Sequence, residues 1–278
     1  GYYALRLNED GDRNTAVGYG TLVDLNPSSG DGDNTAVGYN AGANITTATG
    51  LTFIGSESGT TNTDGLYNTG VGFEALKLNS DGDANTAVGY KALATFEADT
   101  DGHGGNTAVG YKAGTAATIA THSTIIGGSA GEALTEGDHN TVGHSAGKAI
   151  NTGTHNTLIG SGAGEAITDQ GANVAVGFSA LNVDAGGRYN TAIGTYAMES
   201  VNHANSDNNV AIGYTALKGG TVDAISDNVA IGYGVLNHAS VNTTGTVAIG
   251  YDAMTLNAVT SDYLVAIGRA AGRAATGA

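Results

Sequence analysis

The chain has 278 residues and a formal net charge of −16, with 46 glycines, one proline (Pro27) and neither Cys nor Trp. Only 10 Lys and Arg occur, and they are scattered, which excludes nucleic acid as a partner because phosphate neutralisation needs clustered cations; the lack of Cys excludes disulfides and thiol chemistry. No apolar run approaches the roughly 20 residues of a membrane span, so no membrane insertion by this segment is expected, and much of the 40% apolar content is Ala and Val.

From the first residues onward the chain repeats itself. "NTAVGY" stands at 14–19, 34–39, 85–90 and 106–111, and drifts to "NVAIGY" at 209–214 and 228–233. The glycine after each Val or Ile falls at 18, 38, 55, 72, 89, 110, 127, 143, 160, 177, 194, 213, 232, 250 and 268, and Gly1 opens a truncated sixteenth repeat. The commonest interval is 17 residues, with insertions of up to four. A fixed period of this length is the signature of a solenoid, so residues 1–278 read as a single repeat array. The predicted fold is all-β: a parallel β-solenoid of about sixteen coils, with two short strands and two turns in each, stacked about 4.8 Å apart.

Within each repeat the residue before the anchor glycine is always Val or Ile, and the residue two earlier is Thr nine times and Val five times. Residues two apart in a strand share a face. The Val/Ile column is therefore predicted to point inward, with the Thr/Val column at the edge of that interior and the intervening Ala facing out beside the preceding Asn. The glycine is expected where the chain turns with positive φ or where a Cβ would clash. The variable position after the turn (Asn40, Glu57, Glu74, Lys91, Lys112, Asp252) is predicted to face water. A core this thin is expected to need neighbouring copies, leaving no stable folded monomer.

Insertions fall before the Asn and are acidic: "NEDGD" 8–12, "SSGDGD" 28–33, "NSDGD" 79–83 and "ADTDGHGG" 98–105. They read as solvated peripheral turns. Calcium at Asp10/Asp12, Asp31/Asp33, Asp81/Asp83 and Asp99/Asp101 is the weaker alternative, since none matches a known oxygen-cage loop. The Thr column raises ice binding, set aside because an inward column cannot order water. His122, His139 and His155 are predicted to share one column in consecutive coils, about 4.8 Å apart, a ladder whose spacing does not suit a metal ion. No nucleophile elbow, zinc motif or phosphate loop is present, and no catalytic, cofactor-binding or metal residue is assigned. Glu132 and Glu165 read as ordinary repeat positions, with Lys148 in the equivalent place between them.

The stretches "DNVAIGYGVL" 227–236, "TVAIGYDAM" 246–254 and "LVAIGRAAG" 264–272 resemble the YadA-like head repeats of trimeric autotransporter adhesins, and similar repeats of phage tail fibres and tailspikes. The resemblance implies a left-handed β-roll, three chains packed about a common axis, and exposure outside a cell or on a virion. It implies a non-enzymatic structural or adhesive fibre segment, with copies of itself and a surface receptor, glycans included, as partners. The alternatives are a self-assembling extracellular filament, a tailspike-type polysaccharide hydrolase and an ice-binding solenoid. The repeat is longer than the usual head repeat, and no heptad stalk, neck or anchor accompanies it. Neither end reads as a polar cap, so a piece of a longer fibre, or a unit stacking end to end, is expected.

Overall fold

Residues 1–26, 32–97, 104–183, 187–201, 206–219, 225–237, 243–255 and 262–273 are described by a computed structural model. The chain forms two compact units, Gly1–His139 and Asn140–Ala278. Each is an all-β solenoid, and no helix occurs among the described residues. Among the described residues the first unit carries seven three-residue strands, from Thr15–Val17 to Thr124–Ile126, and the second carries eight, from Asn140–Val142 to Val265–Ile267. Within each unit every strand pairs in parallel with the next, column on column: Thr86, Ala87 and Val88 face Thr107, Ala108 and Val109; Val210, Ala211 and Ile212 face Val229, Ala230 and Ile231. Gly1 also belongs to the stack, since a Cβ on it would lie 2.1 Å from the Gly18 carbonyl oxygen, so the truncated sixteenth coil is real.

The strands are inverted relative to the sequence-based expectation. It is the middle residue that is buried: Ala36, Ala87, Ala108, Ala192, Ala211 and Ala230 are fully covered, as are Phe53, Ile125 and Leu158 in the same column. The Thr and Val/Ile columns on either side point outward, and Ile54 and Ile159 are 41% and 42% exposed. Alternation says which residues share a face, not which face is inside. The interior beneath the strand is shared with residues from across the coil, so a small residue takes the strand centre in most coils.

Core volume comes from across the coil. Where the strand centre is Ala, the fourth residue after the anchor glycine is usually large and buried, as with Leu22, Leu93, Leu181, Met198 and Leu217. Where the centre is large, that position is glycine. A Cβ on Gly59 would sit 2.4 Å from the Phe53 ring, and one on Gly164 would sit 2.8 Å from Leu158. A single chain thus holds an Ala/Leu/Phe/Ile core rather than the thin Val/Ala core expected.

No second strand per coil occurs among the described residues. After the anchor glycine the chain runs in turns, with left-handed backbone at alternate residues such as Lys91 (φ 54) and Leu93 (φ 48). These turns still bond coil to coil: the Leu93 N–H donates to Ala113 O at 3.1 Å and the Lys91 N–H to Phe73 O at 2.9 Å. The anchor glycine meets both reasons expected of it. Gly89 has φ 136, and a Cβ there would fall 2.3 Å from the Gly110 carbonyl oxygen.

Candidate functional site

The outward strand face is the most distinctive surface of each unit. In the first unit its rows read Thr-x-Val or Thr-x-Ile throughout; in the second, Val replaces Thr at Val174, Val210, Val229, Val247 and Val265. Neither column of this face carries a charge in either unit. Beside it, the residue after the anchor glycine forms an exposed aromatic row. Tyr19 and Tyr39 stack at 5.5 Å, and Phe73, Tyr90 and Tyr111 follow at 5.5 and 5.3 Å. In the second unit Tyr214, Tyr233 and Tyr251 stack at 5.2 and 4.9 Å. Exposed apolar rows of this continuity are uncommon on monomeric soluble proteins and mark interaction surfaces.

Behind the face runs a buried amide ladder. The Asn before each strand was expected on the outside; Asn34, Asn68, Asn85, Asn106, Asn173, Asn190, Asn209 and Asn228 are instead fully buried. The backbone N–H of Asn106 donates to Asn85 Oδ1 at 3.1 Å, and that of Asn85 to Asn68 Oδ1 at 2.8 Å. Asn106 Nδ2 also donates to Ala120 O at 2.8 Å, tying the strand to the far side of the coil. Each amide satisfies its neighbour, which is the condition for burying polar groups without large cost.

At the corner after the glycine, charged residues that were expected to face water are half-buried and paired between coils. Lys77 Nζ lies 2.6 Å from Glu57 and 2.9 Å from Glu74, and Lys91 Nζ lies 3.2 Å from Glu74. Hydrogen bonds from Lys77 and then Lys91 hold the Glu74 carboxyl below its usual range, and the Glu57 and Glu74 carboxylates push the Lys77 amine up.

The acidic insertions divide. Asp10 and Asp12 are exposed. Asp33 is tied to the Arg13 guanidinium, which lowers its carboxyl, while Asp31, Asp99 and Asp101 lie outside the described residues. The 81–83 turn is not peripheral: Gly82 is buried, its carbonyl accepts from Asn68 Nδ2 at 2.6 Å, and Asp83 Oδ1 accepts from the Leu66 N–H at 2.7 Å. Asp64, Asp81 and Asp83 border one shallow depression. Among the described residues no three acidic or His side chains converge as a metal site would require.

The histidines do not form one column. His122 and His155 are exposed with left-handed backbone, φ 50 and φ 59, whereas His139 is 1% exposed and directly precedes its strand, in the Asn column. The residue missing from that repeat lies before His139, not after it, so the register assumed for the ladder was off by one. Glu132 pairs with Lys112 at 3.1 Å, Glu165 accepts from Asn182 Nδ2 at 3.2 Å, and Lys148 is exposed. Sequence reasoning overlooked the aromatic row, although Tyr or Phe after nine of the fifteen turn glycines was visible. No protein-family model, curated protein or solved structure matches this chain.

Proposed function

We propose that this chain is a non-enzymatic segment of an extracellular fibre, in which copies pack side by side through the outward strand face. The observation that carries the reading is the uncharged Thr/Val and Val/Ile rows, open to solvent and in register coil after coil within each unit. Copies laid parallel match row for row because each has the same spacing, and the chain's −16 charge stays off the contact. Three copies about an axis is the arrangement that the adhesin-like repeats imply, on a cell or virion surface where the remaining faces serve attachment.

Light scattering coupled to size-exclusion chromatography tests this. The expected mass is three times 27.4 kDa. A folded chain of 27.4 kDa at all concentrations would sink the reading, and masses that keep growing with concentration would replace it with a filament.

A second reading has one observation in its favour. The Thr column points outward in seven consecutive coils of the first unit, so the reason for setting ice binding aside is gone. The more exposed column is aliphatic, however, and Thr gives way to Val in the second unit, which favours protein contact. Inhibition of ice recrystallisation by the chain, lost on replacing Thr69, Thr86 and Thr107 by Lys, would reverse that preference.

A further inference from the structure

In the second unit, the column that bears His122 in the first unit places His155, Ala172 and Tyr189 on three successive coils. The Ala172 N–H donates to Thr154 O at 2.9 Å and the Tyr189 N–H to Gly171 O at 3.4 Å, so the three stand in register. The backbones of His155 and Tyr189 are therefore two coil spacings apart, roughly 9–10 Å. Between and beside them lies an open depression of about 380 Å³, lined also by Thr152, Thr154, Asp169 and Arg188.

The gap has a cause in the sequence. Elsewhere in this column an aromatic lies on a glycine of the preceding coil: a Cβ on Gly50 would be 2.7 Å from the Tyr67 ring, and one on Gly245 would be 2.7 Å from the Tyr263 ring. Below Tyr189 the residue is Ala172, whose methyl already occupies that place. The open depression lies at this step of the column.

The polar groups around the slot are of complementary kinds. Arg188 is exposed and forms no ion pair among the described residues; its backbone is engaged, the N–H donating to Asp207 Oδ1 at 2.7 Å and the carbonyl accepting from the Asn208 N–H at 3.1 Å. Asp169 turns Oδ1 toward the Thr168 hydroxyl and the Gln170 amide, leaving Oδ2 for a ligand donor. Two rings that present apolar surface, a guanidinium that donates and a carboxylate that accepts suit a flat molecule with C–H faces and a hydroxyl rim. With one guanidinium and one carboxylate on the slot the two charges offset each other, so the match is an uncharged one.

We propose that the slot between His155 and Tyr189 binds one neutral pyranose unit of a glycan, with Ala172 as its floor and Arg188 and Asp169 on its hydroxyls. This deepens the attachment role proposed above and rests on that reading for its biological sense, but the slot belongs to one unit of one chain and needs no second copy.

The test is saturation-transfer NMR on the full chain with the methyl pyranosides of glucose, galactose and mannose, and with methyl glucuronide. At least one neutral glycoside is expected to receive transfer, with the signal falling about fivefold in Tyr189→Ala. Ala172→Tyr fills the slot and is expected to fall as far; Tyr is tolerated there, since Tyr67, Tyr189 and Tyr263 occupy this column at φ 57, 60 and 59. Tyr67→Ala, away from the slot, is expected to leave the signal unchanged. The proposal is overturned if no neutral glycoside exceeds the Ala172→Tyr background, or if only the glucuronide binds and Tyr189→Ala binds it equally well. Light scattering on the same samples separates the two readings: a single-chain mass with binding retained removes side-by-side packing alone, and an assembled mass without binding removes the slot alone.

Discussion

Phe53 is fully buried, and its ring takes the space that Cβ atoms would need at Gly59 and Gly70. Phe53→Ala is expected to cost about 3–5 kcal/mol in urea unfolding, because glycine neighbours have no side chain with which to fill the cavity. Asn85 tests a different force. Asn85→Ala removes the acceptor of the buried Asn106 N–H and is expected to cost about 1–3 kcal/mol, with faster amide exchange at Asn106. The Asn column itself was plain in the sequence and was still assigned to the wrong side. An isolated Asn is usually exposed; only coil-on-coil stacking lets each amide satisfy the next, and that follows from register, not composition. The exchange of volume between Phe53 and Gly59 was legible in principle, since each of the large strand centres Phe53, Ile125 and Leu158 is followed by glycine four after its anchor.

At the scale of one coil, the period, the strand position and the turn glycine were all readable, because each is a property of the repeat. The direction of the strand was not. Val and Ile are more apolar than Ala, so hydrophobicity alone places them inside; core volume supplied from across the coil by residues such as Leu93 and Leu181 reverses the choice. The turns hid for a related reason: Lys91 and Leu93 bond between coils as strand residues do, but with positive φ. The ion cluster on these turns carries a pH dependence. Glu74 is lowered, so its contribution is present above the unfolded value of about 4.3 and is lost as pH falls through the folded one. Lys77 is raised, so its contribution is present below about 10.4 and is lost as pH rises through its folded value. Lys77→Met is therefore expected to lower the melting temperature near pH 7 and to approach the wild type in acid, once the pH has fallen through the lowered folded value of Glu74. An equal penalty at both pH values would show that the lysine acts through packing of its methylenes.

For the molecule as a whole, the account turns on which side of each strand faces out. If the Val/Ile rows are outward, a chain has its own Ala/Leu core and keeps an uncharged face for its copies; if they are inward, no such face exists. Adjacent residues in one strand decide it. Ala230 is fully buried and Ile231 half-exposed. Replacing each in turn by Asp, and following circular dichroism and mass together, tests the claim directly. Ala230→Asp is expected to destabilise the fold by about 3–5 kcal/mol, as an unpaired buried charge does. Ile231→Asp is expected to keep the spectrum and to lower the mass toward one chain. A silent Ala230→Asp beside an unfolded Ile231→Asp would contradict the account.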